Sequence, residues 1–195
     1  MKKISFIVGL FLAFLFLVNE SNAQISFRIQ KLPTGSYKAS MKSVTSYAGT
    51  LSQISNSFQF TVLAITGSGA IQNLTSLIVL GSGVTKAPLF SFKRNDAPIS
   101  NPSKDYIFFN MINLSQFDIA ANTETDLFYF DVAGACLEDL DLFVNGITPA
   151  SQGLNLGNNI SIVGAGLANQ YINNYGGPAT CSAGCNIKAG ILSRL

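Results

Sequence analysis

The sequence predicts an all-β fold, an antiparallel two-sheet sandwich or jelly roll preceded by a signal peptide. Three observations carry that expectation. Short runs with period-two alternation recur between clusters of Gly, Pro, Asn and Ser, the pattern of half-buried strands joined by turns. No stretch of the chain after residue 23 shows a strong helical period, which removes the parallel α/β designs. Charged residues make up 11% of the 195 residues, against about 25% in ordinary soluble domains, so the surface is expected to be rich in Ser, Thr and Asn. The length fits one domain with its own core.

At the N-terminus, Lys2 and Lys3 precede an apolar run from Ile4 to Val18, and Ser21-Asn22-Ala23 follows as a small-residue site. This is the layout of a secretory signal peptide, with cleavage expected after Ala23 and a mature chain starting at Gln24. A membrane anchor is the alternative, but the run has 15 residues where a bilayer needs about 20. No Cys stands at the cleavage site, so lipoprotein attachment is not supported. The expected organisation is a signal peptide over 1–23 and a single β-sandwich domain over 24–195, secreted, periplasmic or at the cell surface, with no transmembrane segment after cleavage.

The mature chain opens with Ile25, Phe27 and Ile29 alternating with Ser26, Arg28 and Gln30. Pro33-Thr34-Gly35 supplies a turn, and Tyr37, Ala39 and Met41 then alternate with Lys38, Ser40 and Lys42, so the two runs read as a hairpin with one wet face. Phe58, Phe60 and Val62 form a third strand. Leu74 to Leu80 is too brief to separate strand from helix. Tyr106 to Ile112 and Leu127 to Val132 are apolar on both faces and read as central strands that need an extra cover. If Tyr106, Phe108, Ile112 and Tyr129 were exposed together they would mark a partner-binding face. The preferred expectation is that the N-terminal strands and the loop from Asn95 to Lys104 bury them. The segments 67–69, 81–83, 95–104 and 149–157 read as connections within one domain.

The absence of His removes Ser-His-Asp and Cys-His nucleophile systems, His-ligated zinc and His-ligated haem. The formal net charge is +2, and without Lys2, Lys3 and Glu20 the mature chain is almost neutral, so no basic stripe for nucleic acid is expected. No cofactor is expected either. Residues Ile162 to Leu167 mimic the start of a dinucleotide fingerprint, but Asn169 stands where the third Gly belongs and no βα unit has room to follow. They read as a Gly-kinked strand end.

Cys136, Cys181 and Cys185 are the three cysteines, and export favours a bridge. Three pairings are open. Cys136 with Cys181, leaving Cys185 free, is preferred because it closes the longer loop, worth roughly 3 to 4 kcal/mol in the chain-entropy model. Three thiolates without His or paired CxxC spacing do not suit zinc. Glu138, Asp139 and Asp141 are weak Ca²⁺ candidates that lack the EF-hand pattern and read as a solvated strand face. Asp126 and Asp131 are permitted as paired acids, which leaves a secreted carbohydrate-active enzyme as the alternative function. Asn73, Asn113 and Asn159 begin glycosylation triplets, read as incidental. Tyr171, Tyr175, Asn173 and Asn174, with Asn169 nearby, form a polar-aromatic patch suited to stacking on sugar rings and bonding hydroxyls.

The stretch ISNPSKDYIFF followed by TETDLFYFDV, within Ile99 to Val132, resembles the later strands of cohesin-like, carbohydrate-binding-module-like β-sandwiches of bacterial secreted and surface proteins. The segments GACLEDLDLFVN, LNLGNNISIVGAG and NQYINNYGG are similar in kind, so the resemblance spans most of residues 25 to 181. It implies a jelly roll with an adhesive or scaffold-like role and no catalytic residues. Such modules often precede a C-terminal sorting domain, for which the ten residues after Cys185 leave no room. The expected function is a non-catalytic extracellular or cell-surface module binding a protein partner or a polysaccharide.

Overall fold

The computed structural model describes residues 24–48, 55–134, 139–150, 157–165 and 168–180. Twelve strands occur among them: β1 (Ile25–Lys31), β2 (Tyr37–Ser43), β3 (Ser55–Ile65), β4 (Ile71–Ser76), β5 (Val84–Lys86), β6 (Phe90–Asn95), β7 (Lys104–Met111), β8 (Gln116–Phe117), β9 (Glu124–Val132), β10 (Asp141–Leu142), β11 (Asn159–Ile162) and β12 (Tyr171–Asn174). One five-stranded sheet runs β12-β1-β2-β9-β4. In the other, β10 and β11 share one edge of β3, which is followed by β7 and β6, while β5 and β8 form a separate ribbon. The expected signal peptide over 1–23 and all three cysteines lie outside the described residues. No helix among the described residues is long and apolar enough to cross a membrane.

The hairpin expected from alternation is present, with Phe27 opposite Met41 and Ile29 opposite Ala39. Ile25, Phe27, Ile29, Ala39 and Met41 are buried to within 1%. Phe58, Phe60 and Val62 face them from β3, and the two sheets meet through aromatic rings. Phe27 lies 5.1 Å from Phe60, Phe60 5.6 Å from Phe128, and Phe109 4.7 Å from Phe130. Offset and tilted pairs of this kind add about 0.5 to 1.5 kcal/mol each beyond the area they bury. One core shared by two sheets is the layout of a β-sandwich.

Most strand pairs are antiparallel, as expected, but β12 runs parallel to β1, with Ile25 opposite Tyr171 and Phe27 opposite Asn174. Period-two patterning reports which face a residue occupies and carries no information on strand direction, so the parallel edge was not legible.

The run from Leu127 to Val132 is not apolar on two faces. Opposite Ala39 and Ser40 the register steps from Phe128 to Asp126, so Leu127 is an inserted residue, a β-bulge. Leu127, Phe128 and Phe130 all enter the core and Tyr129 is half-buried. Before the bulge, Glu124 and Asp126 lie on the outer face.

β7 does have two apolar faces. Ile107 and Phe109 fill the main core, whereas Tyr106 and Phe108 form a second cluster with Leu63 and Phe143. The cover differs from the expectation. It is the segment after β10, through Phe143 and through Pro149, whose carbonyl accepts a hydrogen bond from the Tyr106 hydroxyl at 2.6 Å. The loop from Asn95 to Lys104 adds Asn101, which donates to the same hydroxyl. The N-terminal strands belong to the opposite sheet. Ile112 stays 63% exposed, so the four residues weighed as a partner face are not exposed together.

Leu74 to Leu80 resolves into the end of β4 followed by a loop that inserts Ile78 into the core. The glycine-rich stretch after Ile162 begins with a short 3-10 turn at Val163–Ala165, in keeping with a strand end.

Candidate functional site

The outer face of the β1–β2–β9 sheet carries a compact charged network. Alternation puts Arg28 and Lys38 on the wet side of the hairpin, and the β9 bulge puts Glu124 and Asp126 beside them. Arg28 Nη1 donates to Glu124 Oε2 at 3.0 Å, and Lys38 Nζ reaches Glu124 Oε1 at 3.3 Å and Asp126 Oδ1 at 2.8 Å. The Tyr175 hydroxyl donates to Glu124 Oε2 at 2.9 Å, while the Arg28 guanidinium lies 5.9 Å from the centre of the Tyr175 ring.

Burial works against the charge on Glu124, yet the hydrogen bonds from Arg28, Tyr175 and Lys38 outweigh it and hold its carboxyl below the usual range. Burial likewise opposes the Lys38 ammonium, and the partners Asp126 and Glu124 overcome it and raise its pKa. The Tyr175 hydroxyl is pushed well above the usual value, first by burial and then by the adjacent Glu124 carboxylate. Glu124 is therefore held ionised, and Lys38 and Tyr175 protonated, across neutral pH.

Beside this network lies a groove of about 610 Å³ along the outer half of β1, bounded by Arg28, Gln30, Lys31, Gly35, Gly176 and Pro178. Gly176 and Gly177 both have positive φ, 86° and 72°, a conformation natural to glycine. A Cβ on Gly176 would sit 2.7 Å from Arg28 Nε, so any side chain here would displace the guanidinium. Past these glycines the chain leaves β1, and Ala179 exchanges two backbone hydrogen bonds with Leu140. The groove lies between the strand and this crossing segment.

The four residues expected to form a sugar-binding patch do not form one exposed surface. Tyr171 is 6% exposed, packs 5.2 Å from Phe27 and gives its hydroxyl proton to Asn174. Asn174 also donates to the Phe143 carbonyl. Asn174 is half-buried, and the Tyr171 ring is not open for stacking. Asn173 is exposed and accepts from Ser26. Tyr175 is half-buried beside the groove. Asparagine recurs here because the interior needs it: fully buried Asn158 accepts from Thr61 N–H, donates to the Phe143 carbonyl and pairs through its backbone with Asn145. Asn169 donates to the Asn158 carbonyl. Such interlocked amides satisfy the backbone where regular pairing ends.

Of the Ca²⁺ candidates, Asp141 is exposed and Asp139 half-exposed, with Leu140 and Leu142 buried on the other side, and Glu138 lies outside the described residues. Among the described residues no three metal-ligating side chains come together. Asp126 is held by Lys38. Asp131 has its pKa lowered chiefly by a hydrogen bond from Asn73. The two stand five positions apart on one strand, about 16 Å at 3.3 Å per residue, too far to flank one glycosidic bond. The Asn113 amide is engaged with Leu89 N–H and the Ala87 carbonyl.

Sequence reasoning missed Arg28, Lys38 and Glu124 as a unit. Their outward positions on the hairpin were readable; the meeting with β9 was not. The chain matches no family model, and no curated protein or solved structure matches it significantly.

Proposed function

We propose that this chain is a secreted, non-catalytic interaction module of cohesin-like type, which binds a protein partner or a polysaccharide outside the cell. The observation that carries the reading is the preorganised surface at β1. A salt-bridged network in which Glu124 is held ionised and Lys38 protonated borders a groove large enough for a short ligand segment. Locked charges suit recognition, because they present fixed complementarity and lose little freedom on binding. They do not suit acid-base catalysis, which needs a group poised near the working pH. Glu124 is held ionised and Tyr175 protonated, so neither exchanges a proton near neutrality.

Export rests on the leader, where Lys2, Lys3 and the run from Ile4 to Val18 support release at Gln24. An oxidising destination favours the Cys136–Cys181 bridge with Cys185 free. The experiment is a screen of the purified protein against arrayed polysaccharides and extracellular protein fractions, run beside hydrolase assays on the same polysaccharides. Saturable binding without turnover is expected. Hydrolysis abolished by Asp126→Asn or Asp131→Asn would instead establish the carbohydrate-active enzyme.

A further inference from the structure

Release of the leader makes Gln24 the first residue of the mature chain, one position before β1, and the fold engages both ends of that residue. Gln24 N–H and Ile25 N–H donate to the Gln170 carbonyl, each at 2.7 Å, and the Gln24 carbonyl accepts from Val44 N–H at 3.1 Å. In the side chain, Gln24 Oε1 accepts from the Tyr47 hydroxyl at 3.0 Å. Tyr47 is buried, and burial pushes its hydroxyl above the usual value, so it stays a donor. The other side-chain atom, Nε2, makes no hydrogen bond among the described residues.

Cleavage after Ala23 would turn the Gln24 amide N–H into an α-ammonium. The groups that bond Gln24 are all uncharged, namely the Gln170 carbonyl, Val44 N–H and the Tyr47 hydroxyl, so a half-buried cation would stand there without a counter-charge. An N-terminal glutamine can remove that charge by its own chemistry. The α-amine titrates at about pH 8, so part of it is the neutral nucleophile under neutral conditions. Its nitrogen attacks the side-chain carbonyl carbon Cδ: the N–Cδ bond forms, the Cδ–Nε2 bond breaks, and one amine proton leaves with Nε2 as ammonia. The product is the five-membered lactam pyroglutamate, which is uncharged. It keeps an amide N–H and the Oε1 carbonyl, the two groups held by Gln170 and Tyr47, and expels Nε2, which the fold leaves without a partner. Negative charge collects on Oε1 as the ring closes, and the Tyr47 hydroxyl donates to that atom.

We propose that Gln24 is a modification site, which closes to pyroglutamate once the leader is removed, with Tyr47 assisting closure and holding the ring beside the start of β1. A lactam there gives the strand a neutral, blocked end that aminopeptidases do not open. The inference rests on release at Gln24 and is independent of what the groove binds.

The test takes the protein from the extracytoplasmic fraction of its own cells, dimethylates free amines while the chain is folded, and reads the N-terminal peptide by mass spectrometry after digestion at arginine. Labelling before digestion keeps cyclisation during handling out of the result, and Gln24→Ala shows that a free amine at this place reacts. The expected peptide runs from Gln24 to Arg28, carries no label and is lighter than its open form by one ammonia, whereas the Gln24→Ala peptide is labelled. For Tyr47, a carrier fused ahead of Gln24 is removed by protease and ring closure is followed with time. Closure should be about tenfold slower in Tyr47→Phe, with circular dichroism confirming its fold, and about tenfold slower in the parent chain unfolded in guanidinium. Equal rates in the folded and unfolded parent overturn the role of Tyr47. A labelled Gln24 peptide overturns the modification and leaves export standing, and an N-terminus at any other residue removes both.

Discussion

Removal of the Arg94 guanidinium would leave Asp105 enclosed and without its counter-charge. Asp105 is fully buried, and it accepts hydrogen bonds from Arg94 and from the backbone N–H groups of Gly67 and Ala97, while Arg94 also bonds the carbonyls of Ser68 and Gly69. One ion pair thus fastens the turns after β3 and β6. Arg94→Ala should cost about 3 to 5 kcal/mol in urea unfolding, the penalty for breaking a buried pair by removing one partner. A loss under about 1 kcal/mol would mean that the turns hold without it. Glu124 gives a prediction in pH. Its folded pKa lies below its unfolded value, so the stabilisation is complete above about pH 4.3 and is lost as pH falls through the folded value. Tyr175 has the opposite sign: its raised pKa gives a contribution present below about pH 10 and lost as pH rises through the folded value. Urea midpoints measured from pH 2 to 11 should show both limbs. Glu124→Gln should flatten the acid limb and weaken the alkaline one; unchanged limbs would show that the network is incidental to stability.

Among the elements, β7 shows how one strand serves two cores. Phe143 covers Tyr106 and Phe108 from the outside, and Phe143→Ala should lose about 3 to 5 kcal/mol and expose apolar surface to a dye such as ANS. If Phe143→Ala kept full stability and bound no dye, the second cluster would not be a core. The hairpin β1–β2, β3 and the central place of β7 and β9 were legible, because burial writes itself into period-two patterning at Phe27, Ala39, Phe60 and Phe109. The bulge at Leu127 was not, since one inserted residue makes three inward side chains look like two apolar faces. The parallel β1–β12 edge and the strand order depend on long-range pairing, which leaves no local trace. Tyr171 misled for a related reason: a tyrosine among asparagines has the composition of an exposed sugar platform, and only the tertiary contact with Phe27 shows that the ring is buried.

For the whole molecule, the account comes down to where a ligand sits. The described surface offers two contrasting regions. The β1 groove has room beside the salt-bridged network; the opposite candidate is the exposed apolar group of Leu89, Ile112 and Leu114, where Ile112 N–H bonds the Leu89 carbonyl and the side chains stay outside. Neither was legible as a site. The groove exists because β12 departs at two glycines, and a turn signal in sequence does not say which strand is left uncovered. Amide chemical-shift mapping of the labelled protein, titrated with whichever ligand the screen returns, is the most direct measurement. The account predicts saturable shifts concentrated at Arg28 to Lys31, Gly35 and Gly176 to Thr180, with Leu89, Ile112 and Leu114 unmoved. Shifts centred on Leu89, Ile112 and Leu114, with the β1 groove silent, would contradict it.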